Sequence, residues 1–165
     1  MRVLFLDIDG VLNSTRTCVA FGGYPMELHH LEAFDQAAIA LIKRLCETAD
    51  VKIILSSAWR LHHPFADVGK ALALPIVGRT PSLAGPRGME INAWLTSHPE
   101  ATEYAIVDDD PDMLPDQLVR FVRTDGHEGL TWRDFVRLCS LFGTSPHAGG
   151  PRDRHWRTGE KLDWS

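Results

Sequence analysis

The sequence predicts an α/β domain in three layers, with a central, mainly parallel five-stranded sheet between helices. Three observations predict it. Short apolar runs at 3–6, 51–57 and 103–107 alternate with stretches of helical period, the pattern of strands joined by crossover helices. These runs end on polar groups suited to chemistry: Asp7, Ser56 with Ser57, and Asp108. Finally, no gap between them accommodates a second domain. Roughly 40 residues separate Asn13 from Ser56 and about 30 separate Arg60 from Arg87, short of the ~50 a domain needs.

The elements follow in order. Val3 to Leu6 is apolar and stops at Asp7, which reads as a buried strand with a turn behind it. Alternation lets Asp7 and Asp9 point the same way while Ile8 returns to the core, and Gly10 allows a sharp exit. Ser14 to Leu31 has no clean period and carries Gly22, Gly23 and Pro25; it reads as a loop hanging over the strand end. Glu32 to Thr48 places Phe34, Ala38, Leu41, Ile42 and Leu45 at helical spacing, with Asp35 near the helix start, where a carboxylate suits the dipole. Val51 to Ser57 is the second strand, Val68 to Leu74 a helix and Pro75 to Val77 a third strand. Residues 78–88 form a Gly- and Pro-rich loop before a helix over Met89 to Ser97. Glu103 to Val107 and Leu118 to Arg123 supply strands four and five. Thr131 and Asp134 make a capping-box-like start for a helix over Trp132 to Phe142. Past Gly143 the hydrophobic period is lost. The expected division is therefore a domain over 1–142 and a loosely attached C-terminal extension over 143–165.

Composition narrows the function. At 165 residues, 44% hydrophobic and 24% charged, the chain supports one domain with a sizeable core. A net charge of −5 gives no global basic field to attract nucleic acid. Cys18, Cys46 and Cys139 are odd in number and form no CxxC pair, so neither a zinc site nor a disulfide framework is indicated. They read as buried apolar residues in a reducing compartment. Asp7 interrupts the N-terminal apolar run, against a signal peptide, and no run approaches the ~18 residues of a membrane span. The expectation is a cytoplasmic protein with no membrane partner.

Two carboxylates at the end of a buried strand are costly without a partner. A hard divalent cation suits them, because Mg²⁺ takes oxygen ligands. Asp108, Asp109 and Asp110 cluster three further negative charges after an apolar strand, and a cation relieves their repulsion. Pro111 suits a first-turn position, so Asp110 and Asp112 are expected to begin the next turn. Only one of Ser56 and Ser57 can face the site. Trp59 and Arg60 are candidates to stack on or clamp a substrate, with Trp59 equally suited to the core. His29-His30 and His62-His63 lack the i, i+4 spacing of a helical zinc site and read as loop histidines.

DIDGVLN at 7–13, SSAWR at 56–60, Arg87 with Gly88, and VDDDPDM at 107–113 resemble, in order, motifs I to IV of the haloacid dehalogenase (HAD) superfamily. The resemblance spans roughly residues 2–142. It is most similar to small capless members related to polynucleotide 3'-phosphatase domains and to the HAD modules of RNA-repair proteins. It implies a three-layer Rossmann-like HAD fold without a cap domain. By this resemblance Asp7 is the nucleophile, and Asp9 is the general acid and base, lending its backbone carbonyl to Mg²⁺. Asp109 is favoured as a direct metal ligand with Asp108 close behind, and Ser57 is favoured over Ser56 as a phosphate ligand. Arg87 stands where the family commonly has Lys, with Arg79 and Arg60 as competitors.

The expected function is a Mg²⁺-dependent phosphomonoester hydrolase acting through an aspartyl-phosphate. With no cap, its site should be open and suit protruding substrates such as nucleic-acid 3'-phosphate ends; mononucleotides and phosphoproteins are the alternatives. A binding module that has lost turnover, and a receiver-like signalling domain, are the rivals from other classes. Asp9 argues against the receiver, which has no need of an acid catalyst.

Overall fold

The computed structural model describes residues 1–149. Five parallel strands form one sheet: β1 (Arg2–Leu6), β2 (Val51–Leu55), β3 (Ile76–Arg79), β4 (Glu103–Asp108) and β5 (Phe121–Arg123), in the order β3-β2-β1-β4-β5. β1 lies at the centre and pairs with both β2 and β4. The chain therefore winds first to one side of β1 and then to the other, which makes the carboxyl end of β1 the switch point where such sheets bind ligands.

Alternation along the strands divides the core. Leu4, Leu6, Ile53, Leu55, Ala105, Val107 and Val122 face one side, where α2 (Gln36–Ala49), α3 (Phe65–Leu72) and α5 (Trp132–Leu141) cover them. Val3, Phe5, Ile54, Ile106 and Phe121 face the other, against Ile91 and Trp94 of α4 (Arg87–Ser97). Both faces are apolar because a parallel sheet with helices on each side is shielded from water twice.

Local signals set the helix ends. Asp35 is the N-cap of α2, accepting from the backbone N–H of Ala37 and Ala38 at 3.1 Å each. Thr131 and Asp134 close a reciprocal capping box on α5, as their spacing predicts. The segment expected as loop over 14–31 contains a short helix, α1 (Thr15–Phe21), which buries only Thr17 among its residues. With almost no apolar face it has no period to read. A Ser14–Thr17 capping box and Gly22 in the left-handed region hold it instead.

Other boundaries moved. Residues Leu31–Ala33 form a separate 3-10 turn ahead of α2. The fifth strand keeps only three residues, because Pro115–Arg120 is a 3-10 turn. No helical turn begins at Pro111; the turn there starts at Pro115 instead. Of the extension expected over 143–165, residues 150–165 lie outside the described residues. Within the rest, Arg44 Nη2 donates to Ala148 O at 2.8 Å and the His147 ring lies 5.8 Å from Trp132. No helix among the described residues is long and apolar enough to cross a membrane.

Phe135 is 1% exposed within the larger core cluster, so Phe135→Ala should cost about 3–5 kcal/mol, measured by urea unfolding. A loss below 1 kcal/mol would mean that α5 is not packed on the sheet.

Candidate functional site

The register of the central strands builds the site. Leu6 pairs with Leu55 on one side and with Val107 on the other. The next residues, Asp7, Ser56 and Asp108, therefore leave three adjacent strands side by side. Leu6 and Val107 point into the larger core cluster, so alternation sends Asp7 and Asp108 to the opposite face. That is the face where α4 begins with Arg87.

Arg87 joins them. Its Nη1 lies 3.0 Å from Asp7 Oδ1 and 3.0 Å from Asp108 Oδ2, and also donates to the carbonyl of Ser56. Arg87 is the first residue of α4, so its backbone N–H lacks an intrahelical partner. Asp112 supplies one: its Oδ2 accepts from Arg87 N at 2.9 Å, and its backbone carbonyl accepts from Gly88 N at 3.1 Å. Gly88 is required for this approach, since a Cβ there would sit 2.5 Å from the backbone nitrogen of Leu114.

Carboxylate oxygens of Asp7, Asp108 and Asp109 lie within 4.8 Å of one another. Asp109 is seated between two glycines. A Cβ on Gly10, whose φ is +79°, would fall 2.4 Å from Asp109 Cγ, and one on Gly126 would fall 2.8 Å from its Oδ2. Burial raises the pKa of all three carboxyls. For Asp108, burial and the neighbouring Asp7 charge push it up to about 8, against the pull of Arg87. Burial also works against the Arg87 charge, but Asp7 and Asp108 outweigh it and hold the guanidinium above its usual value. One arginine thus balances only part of the negative charge, and hard oxygen donors around a deficit of positive charge suit Mg²⁺.

The carboxylate of Asp9 lies outside that cluster. The strand ends at Leu6, and Val11 N and Leu12 N both donate to Ile8 O, so the chain coils before alternation can align Asp9 with Asp7. Asp9 is exposed and accepts from Asn13 Nδ2 at 2.8 Å and from Trp59 Nε1. Both Asp7 and Asp9 still line one open cleft of about 1510 Å³.

The competing assignments separate here. The Ser57 side chain is near enough to Asp7 to favour its charged form, and its Oγ accepts from Trp59 N at 3.4 Å, whereas Ser56 Oγ is buried with no partner among the described residues. Arg60 is not turned to the site. Its Nη2 pairs with Glu90 Oε2 at 2.6 Å and its Nη1 donates to Ser57 O at 2.7 Å, both buried. Arg79 Nη1 donates to Arg60 O at 2.8 Å and the residue does not line the cleft. Trp59 is 7% exposed, packed beside Phe34 and stacked with His63. Its bond to Asp9 was not legible, because it joins residues 50 positions apart. The same holds for Thr124, whose hydroxyl donates to Gly10 O at 2.8 Å, and for Arg123, whose Nε donates to Asp109 O at 3.0 Å.

An acidic cluster bridged by one guanidinium lies at the carboxyl ends of adjacent parallel strands, the switch point where α/β sheets of this kind bind ligands. The chain belongs to the HAD family: residues 3–135 match the HAD domain in Swiss Army Knife RNA repair proteins. No curated protein and no solved structure matches it significantly.

The Arg60–Glu90 pair supports the loop carrying Ser57, and Glu90 Oε1 also takes the N–H of Leu83. Glu90→Ala would strand a buried guanidinium and should lower stability by about 3–5 kcal/mol. Denaturant melts with stability preserved would show that Arg60 can turn to solvent.

Proposed function

We propose that the chain is a phosphomonoester hydrolase in which Asp7 accepts the phosphoryl group. The observation that carries this reading is the convergence of the Asp7, Asp108 and Asp109 carboxylates, the first two bridged by Arg87, beside an open cleft that Asp7, Arg87 and Asp109 line. Asp7, Asp108 and Asp109 would hold Mg²⁺, with the backbone carbonyl of Asp9 as the HAD resemblance implies. Bound there, the cation offsets charge on the phosphoryl oxygens and orients the substrate.

The residues then divide the work. Arg87 fixes the Asp7 carboxylate, so one oxygen can meet the phosphorus in line. A bond forms from that oxygen to phosphorus, and the bond from phosphorus to the leaving oxygen breaks. Asp9 gives its proton to the leaving oxygen. In the second half Asp9 takes a proton from water, whose oxygen attacks the same phosphorus. The bond from phosphorus to Asp7 breaks, and inorganic phosphate leaves with the carboxylate restored. Ser57 would donate to a phosphoryl oxygen in both halves, as the HAD resemblance implies.

For the substrate we infer a phosphorylated nucleic-acid end. No inserted domain closes the cleft, which suits a group protruding from a large molecule, and the matched family occurs in RNA repair proteins. Phosphate release from 3'-phosphorylated oligonucleotides, mononucleotides and phosphopeptides ranks the candidates, and the oligonucleotides should release fastest. Faster release from a phosphopeptide would overturn this choice of substrate.

Asp7→Asn should lower kcat by at least ~10³-fold, because an amide is a poor nucleophile, with the melting temperature little changed. Trapping of a phosphoenzyme should label Asp7; a label on a serine or histidine would contradict the mechanism.

Chelation should abolish turnover, and Mg²⁺ should restore it better than Ca²⁺, whose longer bonds and extra ligands disturb the attack geometry. Full turnover after verified removal of metal would refute the role of the cation.

A further inference from the structure

Asp9 is exposed to the cleft, yet two side chains fix its carboxylate. Trp59 Nε1 lies 3.2 Å from Oδ1 and 3.1 Å from Oδ2, and Asn13 Nδ2 lies 2.8 Å from Oδ1. Asn13 is fully buried and is itself held by Gly10 N at 3.2 Å. The indole is equally constrained: Phe34 packs at 5.6 Å and His63 stacks at 5.1 Å with the rings 29° apart. Trp59 belongs to the 3-10 turn Ala58–Leu61, whose N-cap is Ser57. The Ser57 side chain neighbours Asp7 and favours its charged form. One short turn therefore reaches Asp7 with its N-cap and holds Asp9 through the residue two places on.

A buried indole needs a partner for its N–H, and a backbone carbonyl would serve packing as well. Here the partner is a carboxylate on the wall of the cleft. An unheld aspartate at the surface samples several rotamers, whereas proton transfer to a leaving oxygen demands one. We infer that Trp59 is a positioning residue, holding the Asp9 carboxylate where it meets the leaving group. The inference rests on the reading of Asp9 as acid and base.

The test is a double-mutant cycle on Trp59→Phe and Asp9→Asn, read on two substrates. Trp59→Phe keeps an aromatic ring beside Phe34 and His63 but removes the N–H. On an alkyl phosphate, a 3'-phosphorylated nucleoside, it should lower the single-turnover rate by about ten- to a hundredfold. On nitrophenyl phosphate, whose leaving group needs little protonation, the loss should be at least several-fold smaller. In the Asp9→Asn background, Trp59→Phe should cause no further loss on either substrate. Equal losses on both substrates, or the same loss with and without Asp9, would reduce Trp59 to a core residue and overturn the inference. Should Trp59→Phe not fold, the wild-type sequence carries a second measurement. Of its five tryptophans, one should show an indole N–H resonance displaced by Asp9→Ala; five unmoved resonances would overturn the contact. Failure of the underlying reading is recognised separately, by an Asp9→Asn single variant that loses the same factor on both substrates.

Discussion

A single guanidinium decides how this site can exist. Asp7 and Asp108 leave neighbouring strands at the same level, 5% and 0% exposed, with Asp109 close behind. Like charges at that spacing in an apolar setting cannot all ionise unaided. Arg87 enters from the start of α4 and touches Asp7 and Asp108 with the same nitrogen. Its own position depends on Asp112 capping the helix and on Gly88 letting the helix approach the 112–117 segment. The end of β4 and the segment behind it thus supply two of the three acids, Asp108 and Asp109, and also Asp112, the anchor of the cation that balances them.

The rest of the cleft follows from this arrangement. Its floor is rigid, because strands buried on both faces set the register of Asp7, Ser56 and Asp108. Its walls are turns, tied across to one another. Thr15 N and Arg16 N donate to the carbonyls of Gly126 and His127, and Thr15 Oγ1 lies 2.9 Å from His127 Nδ1. The short helix α1 is tied by its caps and by this loop; its Val19 and Phe21 remain exposed, and exposed Met26 lines the cleft. The floor is thus fixed by the sheet and the walls by hydrogen bonds between distant loops, with Gly10 and Gly126 leaving the space that Asp109 fills.

Much of this was legible in the sequence, for a physical reason. Buried strands and amphipathic helices carry their burial pattern locally, so β1, β2, β4, α2 and α5 could be read to within a few residues. Asp35 and Thr131 could be read because capping chemistry is local. What failed was short or polar. α1 has no apolar face, and the run at 118–123 divided into a 3-10 turn and a three-residue strand, because exposed Leu118 and Val119 imitate a strand's composition. In the site, the ends of apolar runs pointed to Asp7, to Ser56 or Ser57, and to Asp108, and only the HAD resemblance favoured Ser57 over Ser56. The choice of Arg87 over Arg60 and Arg79 required packing, since only burial with Glu90 removes Arg60 from consideration. The path of Asp9 also required the structure, because alternation stops where the strand does.

The proposed role of Asp7 as phosphoryl acceptor, within a cation site formed with Asp108 and Asp109, is tested most directly by a crystal structure of the protein with Mg²⁺ and beryllium fluoride, which mimics a phosphoryl group on a carboxylate. Beryllium fluoride is expected on an Asp7 oxygen, with the cation among Asp7, Asp108 and Asp109. Beryllium fluoride on Asp9 or away from the acidic cluster, or a cation bound elsewhere, would contradict that role.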